Sequence, residues 1–445
     1  MASAGRREEN RLEQPHTTRK ARLKQPWFLS LFLLFLIPLL PEYCAPVLAI
    51  ASLVCAHFDA RSRGQTFEIG KLGGIILLYV LSMCISLLYA DNRLSTLATI
   101  GMWLVMFCGY MALVTVLRTP ARLRMALRLL TAVLGVLGLI ACIQYVCNAV
   151  FHLSIPLQLW NPLDEWVYSH FSPIEIRLHS EGIRVGATYT NPNIFAEAVV
   201  MFLPFAAYMA FTAHGRRFRW LWGSCLLLAV AGTCFSFSRG SYLAMLAIAG
   251  VFCLLNLKPL LLSRKVLIVA GILLVLILVV PNPISARLRS FSLDDVSISD
   301  RLNIWSVAIV SIAQQPLFGL GAGVMNSEQM LLDAGITGAP HTHNLVLQLL
   351  VEGGIIALCI LLVAGYQMVR SHWKLRRHAA PRERLLGVAF LAFFAGFVVF
   401  GMVDFPFLCP KLVGNFLIVL ALSDVSCRLY LNQPTFALTK LYDVL

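Results

Sequence analysis

Runs of about twenty apolar residues recur along nearly the whole chain, and each is long enough to cross the hydrocarbon core of a bilayer as a helix. They fall at 27–40, 43–58, 72–90, 94–117, 125–151, 193–213, 219–238, 240–257, 266–281, 344–369, 385–402 and 412–430. A segment in lipid must satisfy its own backbone hydrogen bonds, which leaves helices or a closed barrel. A barrel would show alternating strands of about ten residues instead. With 59% of 445 residues hydrophobic and 13% charged, no soluble domain fits. The expected fold class is therefore an all-α polytopic membrane protein of about twelve transmembrane helices. One transmembrane domain covers 27–430, between a basic tail at 1–26 and a short tail at 431–445. The first two spans are short and separated by Pro41-Glu42, so a bent hairpin is as compatible as two full crossings.

The 36 lysines and arginines concentrate in alternate connections: 1–26, 59–71, 118–128, 214–219, 258–265, 370–384 and the C-terminal tail. By the positive-inside rule these face the cytoplasm, as do both termini. The N-terminal lead runs into Trp27 without a small-residue cleavage site, so it does not read as a cleaved signal. A net charge of +14 would fit nucleic acid in a soluble protein. Here the basic residues sit in short loops between apolar spans, where anionic lipid headgroups are the partner and nucleic acid is not. The 12 cysteines lie almost entirely within spans, with only Cys44 and Cys409 near an outer surface. No disulfide framework is expected.

Two outer connections are long, 152–192 and 282–343. The first is rich in aromatics (Trp160, Trp166, Tyr168, Phe171), which favour a membrane interface and also stack on sugars. In the second, apolar residues at 304, 305, 308, 309 and 312 share one helical face, so a helix at the membrane surface is expected, with Asp300 as its N-cap. Gln314-Gln315-Pro316 ends it, and Gly319-Leu320-Gly321-Ala322-Gly323 reads as a flexible turn.

The polar chemistry gathers on this outer side. Arg239 sits in Phe235-Ser236-Phe237-Ser238-Arg239-Gly240-Ser241, between two apolar runs with almost no loop. A charge so placed either snorkels to headgroups or faces a polar cavity, and the flanking Ser238, Ser241 and Gly240 suit an anion site. Arg184 precedes Thr190-Asn191-Pro192-Asn193, a turn into a helix capped by Asn191 or Asn193, whose first-turn N–H groups also suit phosphate oxygens. Glu197, one turn on, reads as a partner for one of these arginines. Arg287 and Arg289 are expected to meet lipid phosphate. Arg301 shares a helical face with Trp305. Arginines bind phosphate oxygens in a planar, bidentate way and stay charged, so Arg184, Arg239 and Arg301 form a candidate pyrophosphate cradle. No carboxylates stand at metal-ligand spacing, since Asp294-Asp295 are adjacent. Arginines rather than Mg²⁺ are thus expected to neutralise a leaving group. His343, at the mouth of the span starting at 344, is the candidate general base. His341 is too close to it for a helix-type metal pair, so no metal site is expected. Glu352 lies about 13 Å further along the helix at about 1.5 Å per residue and reads as a supporting group.

Gly186-Ala-Thr-Tyr-Thr-Asn-Pro-Asn193, Phe235-Ser-Phe-Ser-Arg-Gly-Ser241, Arg301 with Trp305, Pro316-Leu-Phe-Gly-Leu-Gly-Ala-Gly323 and His341-Thr-His-Asn344 ahead of Glu352-Gly-Gly354 stand in an order that resembles the O-antigen ligase and O-antigen polymerase family. The likeness is closest over residues 180–360. It implies a membrane glycosyltransferase of the GT-C type, metal-independent and inverting, in the bacterial inner membrane. Its donor would be a glycan on undecaprenyl diphosphate, and its acceptor a sugar hydroxyl of a glycolipid or lipid-linked sugar at the outer face. Arginines matching Arg184, Arg239 and Arg301 would hold the pyrophosphate, with Arg177 as a neighbour to Arg184. The family's His-Asn pair points to His343 and Asn344, with His341 and Glu352 in support. No cofactor is implied, and no nucleotide-binding pattern occurs in the sequence.

Ligase and polymerase differ mainly in acceptor: an anchor glycolipid for one, a second lipid-linked repeat for the other. A transporter of twelve spans is the contrasting class. It would place polar residues near mid-membrane in two related halves, whereas here they cluster on one side without a repeat.

Overall fold

The computed structural model describes residues 25–151, 184–255 and 296–437. Among them thirteen α-helices dominate. In chain order they are α1 (Pro26–Leu36, continued as a 3-10 turn Ile37–Leu39), α2 (Cys44–Arg61), α3 (Lys71–Ser86), α4 (Arg93–Val116), α5 (Pro120–Phe151), α6 (Pro192–Thr212) and α7 (Arg216–Phe235). Then follow α8 (Arg239–Leu255), α9 (Val296–Gln314), α10 (Val324–Asp333), α11 (Leu345–His378), α12 (Pro381–Gly401) and α13 (Pro410–Leu431). Eight of these are long and apolar enough to cross a membrane, and three more apolar helices, Pro26–Leu39, Lys71–Ser86 and Arg239–Leu255, are shorter. Every span expected from the sequence is met by one of them except 266–281, which lies outside the described residues. So do the aromatic connection 152–183, Arg177, Arg287, Arg289 and Asp294-Asp295. All 12 cysteines are free thiols.

The chain entry is a hairpin. Short α1 packs on α2, tied by a buried hydrogen bond between Ser30 Oγ and Ser52 Oγ at 2.9 Å. The centre of the bundle is α6 and α13, which are buried over most of their length. A helix apolar on all sides packs in this way. At the far end of α13, Arg428 donates to Glu68 (2.6 Å), which also accepts from Arg118 (2.5 Å) and Thr435 (2.7 Å). A short antiparallel pair, β1 (Glu68–Ile69) with β2 (Phe436–Ala437), closes that end.

Helix α9 begins at Val296, so Asp300 lies inside it and is not its N-cap. Its buried face runs through Ile304, Ala308 and Ser311, while Ile309 is exposed. The helix docks on protein along that stripe. The segment after it departs further from expectation. Gly319, Gly321 and Gly323 all have positive φ (66°, 110°, 110°), as expected of a turn. The turn is not a free one, because it threads into a break in α11. Gly354 has φ 61° and interrupts that helix. The freed backbone groups pair with the incoming loop: Leu320 N–H to Val351 O (2.7 Å), Gly321 N–H to Glu352 O (3.2 Å) and Ile355 N–H to Pro316 O (2.9 Å). Unsatisfied backbone groups at this depth would be costly, and the exchange removes them. A Cβ at Gly354 would stand 2.3 Å from Leu317 O, and one at Gly319 2.4 Å from Val351 O. The two glycine motifs of the sequence are the two sides of one contact.

Candidate active site

The loop from Gly338 to Asn344 enters α11 at the end of the bundle where α12 turns into α13. Asn344 caps α11: its Oδ1 accepts from Val346 N–H (2.9 Å) and Leu347 N–H (3.1 Å). Its Nδ2 donates to Met402 O (3.2 Å), which ties the loop to the end of α12. Two residues on, Asp404 turns its carboxylate toward both histidines. Oδ1 lies 3.1 Å from His341 Nε2, 3.2 Å from His343 Nδ1 and 3.0 Å from Phe405 N–H. The imidazole centroids are 4.1 Å apart.

This geometry separates the two histidines. The His343 side chain is 28% exposed and that of His341 only 5%. A carboxylate oxygen only accepts, so each facing ring nitrogen carries the proton. His343 Nε2 is then the lone-pair nitrogen, on an accessible ring. His341 instead leaves a buried Nδ1 with no hydrogen-bond partner among the described residues. Burial, and then the neighbouring His343, lower the His341 pKa below the usual range, so it stays neutral. Burial would raise the Asp404 carboxyl, but hydrogen bonds from His341 and His343 outweigh it and hold Asp404 well below the usual carboxylate range.

His341, His343 and Asp404 also have ligand atoms all within 4.8 Å of one another, a grouping able to hold a metal ion. His341 and His343 lie in a loop rather than on a helix, so their two-residue spacing does not keep them from sharing an ion. Two imidazoles and a carboxylate are a donor set suited to Zn²⁺. Each donor nitrogen facing the centre is already hydrogen-bonded to the carboxylate.

The arginines approach from neighbouring elements. Arg184 donates from Nε to Ser236 O (2.9 Å) and from Nη2 to Asn193 Oδ1 (2.8 Å), which holds it against the turn before α8. Arg239 opens α8, and its neighbour Gly240 abuts the Asp404 turn: a Cβ there would lie 2.5 Å from Val403 Cγ2. Arg301 in α9 is close enough for its charge to act on His341. One turn later Trp305 Nε1 donates to Thr342 O (2.9 Å). Arg184, Arg239, Arg301, His341 and His343 are thus linked through directly contacting segments. Asn191 is the cap of α6, accepting from Asn193 N–H (2.7 Å).

Two expectations change. Ser241 Oγ donates to Ser238 O (2.8 Å), so its hydroxyl proton braces the turn and is not offered to an anion. Glu197 is buried and feels the charge of Asp404, and its Oε1 has no partner among the described residues, so it does not read as an arginine's mate. Glu352 keeps a supporting position, with Oε1 accepting from Gln348 Nε2 (2.8 Å). Sequence reasoning missed Asp404 and Gln348. The available signal for Asp404 was a lone acid at the end of an apolar span, in Met402-Val403-Asp404-Phe405-Pro406. Gln348 stands in the first turns of α11, between His343 in the preceding loop and Glu352 further along the helix.

Compared with known proteins, residues 224–362 match the O-antigen ligase family model. The match takes in Arg239, Arg301, both histidines and Glu352, and leaves Arg184 and Asp404 outside it. No curated protein matches the chain. Together with the membrane-spanning helices, the match supports a membrane glycosyltransferase of the O-antigen ligase and polymerase type in general. Over residues 224–362 this chain is similar to the O-antigen ligase family.

Proposed function

We propose that the protein transfers a glycan from undecaprenyl diphosphate to a sugar hydroxyl of a glycolipid acceptor, at the periplasmic face of the bacterial inner membrane. The observation that carries this reading is His343: an accessible imidazole whose Nδ1 is hydrogen-bonded to Asp404, with Arg301 close enough for its charge to act on the adjoining His341. The acceptor hydroxyl attacks the anomeric carbon as the bond to the diphosphate oxygen breaks, with inversion. His343 Nε2 takes the hydroxyl proton, and Asp404 stabilises the imidazolium that forms. Arg184, Arg239 and Arg301 neutralise the departing undecaprenyl diphosphate. The polyprenyl tail lies in lipid between helices, and no nucleotide is required, because the lipid diphosphate is itself a good leaving group.

The test is transfer in vitro from a defined undecaprenyl diphosphate-linked glycan to an anchor glycolipid or to a second lipid-linked repeat. Transfer to the anchor that is lost in His343→Ala and Arg239→Ala supports the ligase reading. Elongation of the lipid-linked repeat instead identifies a polymerase. Normal transfer by Arg239→Ala at wild-type protein levels removes the cradle.

A further inference from the structure

The backbone at His343 is left-handed, with φ 50°, a conformation that L side chains adopt rarely and only where the surroundings enforce it. The peptides before it are held from two sides. Thr342 is fully buried; its N–H donates to Gln348 Oε1 at 2.8 Å, and its carbonyl accepts from Trp305 Nε1 at 2.9 Å. Gln348 is also fully buried and uses both ends of its amide. Nε2 donates to Ser327 Oγ (2.9 Å) and to Glu352 Oε1 (2.8 Å), while Ser327 Oγ in turn reaches Pro340 O (3.0 Å). Ser327 Oγ gives its proton to Pro340 O and so accepts from Gln348, and Glu352 Oε1 accepts beside it; together they set the amide orientation that turns Oε1 toward Thr342. One side chain therefore grips the loop on both sides of His341, at Pro340 through Ser327 and at Thr342 directly.

We propose that Gln348 is a positioning residue for His343, set in one orientation by Glu352 and Ser327. The inference rests on reading His343 as the base of the proposed transfer. It also accounts for Glu352, which fixes the end of the Gln348 amide that faces Thr342. The geometry requires an amide at 348. A carboxylate of the same shape loses both donors and sets an acid against Glu352. Exchanging the two residues restores a donor–acceptor pair between them, with the 352 amide now donating to the 348 carboxylate, which still accepts from Thr342 N–H.

The experiment measures steady-state transfer by the full-length protein in detergent or nanodiscs, with Gln348→Glu, Glu352→Gln and the double variant, and His343→Ala as reference. The expected result is a kcat for Gln348→Glu about 100-fold below wild type, the scale of a misplacement near 1 Å. The donor KM stays within about twofold, since the arginines are untouched. The double variant should recover at least about tenfold of that loss. Hydrogen exchange over 338–347 should quicken in Gln348→Glu and slow again in the double variant. A kcat within twofold of wild type, a loss confined to KM, or a double variant no better than Gln348→Glu overturns the inference. If His343→Ala transfers as well as wild type, the reading of His343 as base fails, whereas a dead His343→Ala beside a fully active Gln348→Glu removes Gln348 alone.

Discussion

His343 Nδ1 and Asp404 Oδ1 stand 3.2 Å apart although 61 residues separate them in the chain. This contact selects the tautomer in which Nε2 is free to accept a proton. Asp404→Asn keeps the shape of the side chain but offers one oxygen acceptor and one amide donor, so it no longer fixes the tautomer or stabilises an imidazolium. Its transfer rate should fall roughly 100-fold or more, the span of general-base effects. Donor binding by the same preparation should be unchanged, which a direct binding measurement checks.

Arg184 spends Nε and Nη2 on Ser236 O and Asn193 Oδ1, so it also holds the segment before α6 against the turn that carries Arg239. Lysine keeps the charge and loses the fork. Arg184→Lys should therefore raise the donor KM several-fold with kcat less affected, while Arg239→Ala should abolish transfer. Initial rates over a range of donor concentration separate the two outcomes.

The break in α11 predicts a folding defect remote from the chemistry. Gly354→Ala puts a Cβ 2.3 Å from Leu317 O at a φ of 61°. Backbone strain of this kind costs about 1–3 kcal/mol before the clash is counted. The variant should show a lower melting temperature in detergent and a lower membrane yield. Gly223→Ala is the control: it lies within α7, where an added Cβ meets nothing within 4 Å. Alanine favours a helix over glycine, so this variant should melt no lower than wild type.

How much of this was legible in the sequence follows from the range of each contact. Hydrophobic run length depends on local composition, so the spans could be placed, but where polar residues continue a helix its end was missed: α11, expected to end at 369, runs on to His378, and α5 starts at Pro120 rather than 125. His343 stood out for its position at a span mouth, and Arg239 for its place in a tight hairpin. Asp404 did not, because nothing near it in the chain marks it as the mate of a loop one helical hairpin away. Gly319 and Gly354 each read as turn or break signals, but their joining depends on how α9, α10 and α11 pack. The Asp300 N-cap failed for a different reason: the helix extends one turn further back, through Val296.

A pH effect on stability follows from His341. Its pKa is lowered by burial and by His343, against about 6.5 for an unfolded histidine. Between the lowered value and about 6.5 the unfolded chain binds more protons than the folded one, so stability rises with pH there and levels off above. Asp404 is depressed as well, so its contribution is present above the ordinary carboxylate range near 4 and is lost only in stronger acid. Wild-type protein should therefore melt lower at pH 5.5 than at pH 7.5. His341→Gln should flatten that difference, a comparison that thermal melts across the pH range make directly.

Metal addition and removal decide how the cluster of His341, His343 and Asp404 works. Its ligand atoms lie within 4.8 Å of one another, so an ion could bridge them. In the hydrogen-bonded arrangement both facing nitrogens carry protons held by Asp404 Oδ1, and His343 Nε2 is left to act as base. A bound cation would displace those protons, compete for the Asp404 charge and lower the basicity of the His343 ring. If the hydrogen-bonded triad is the working state, a chelator should leave transfer unchanged and added Zn²⁺ should inhibit it. His341→Gln should then weaken that inhibition by removing one donor. Loss of transfer on chelation, restored by a divalent ion, would instead make the triad a metal centre and require a different base.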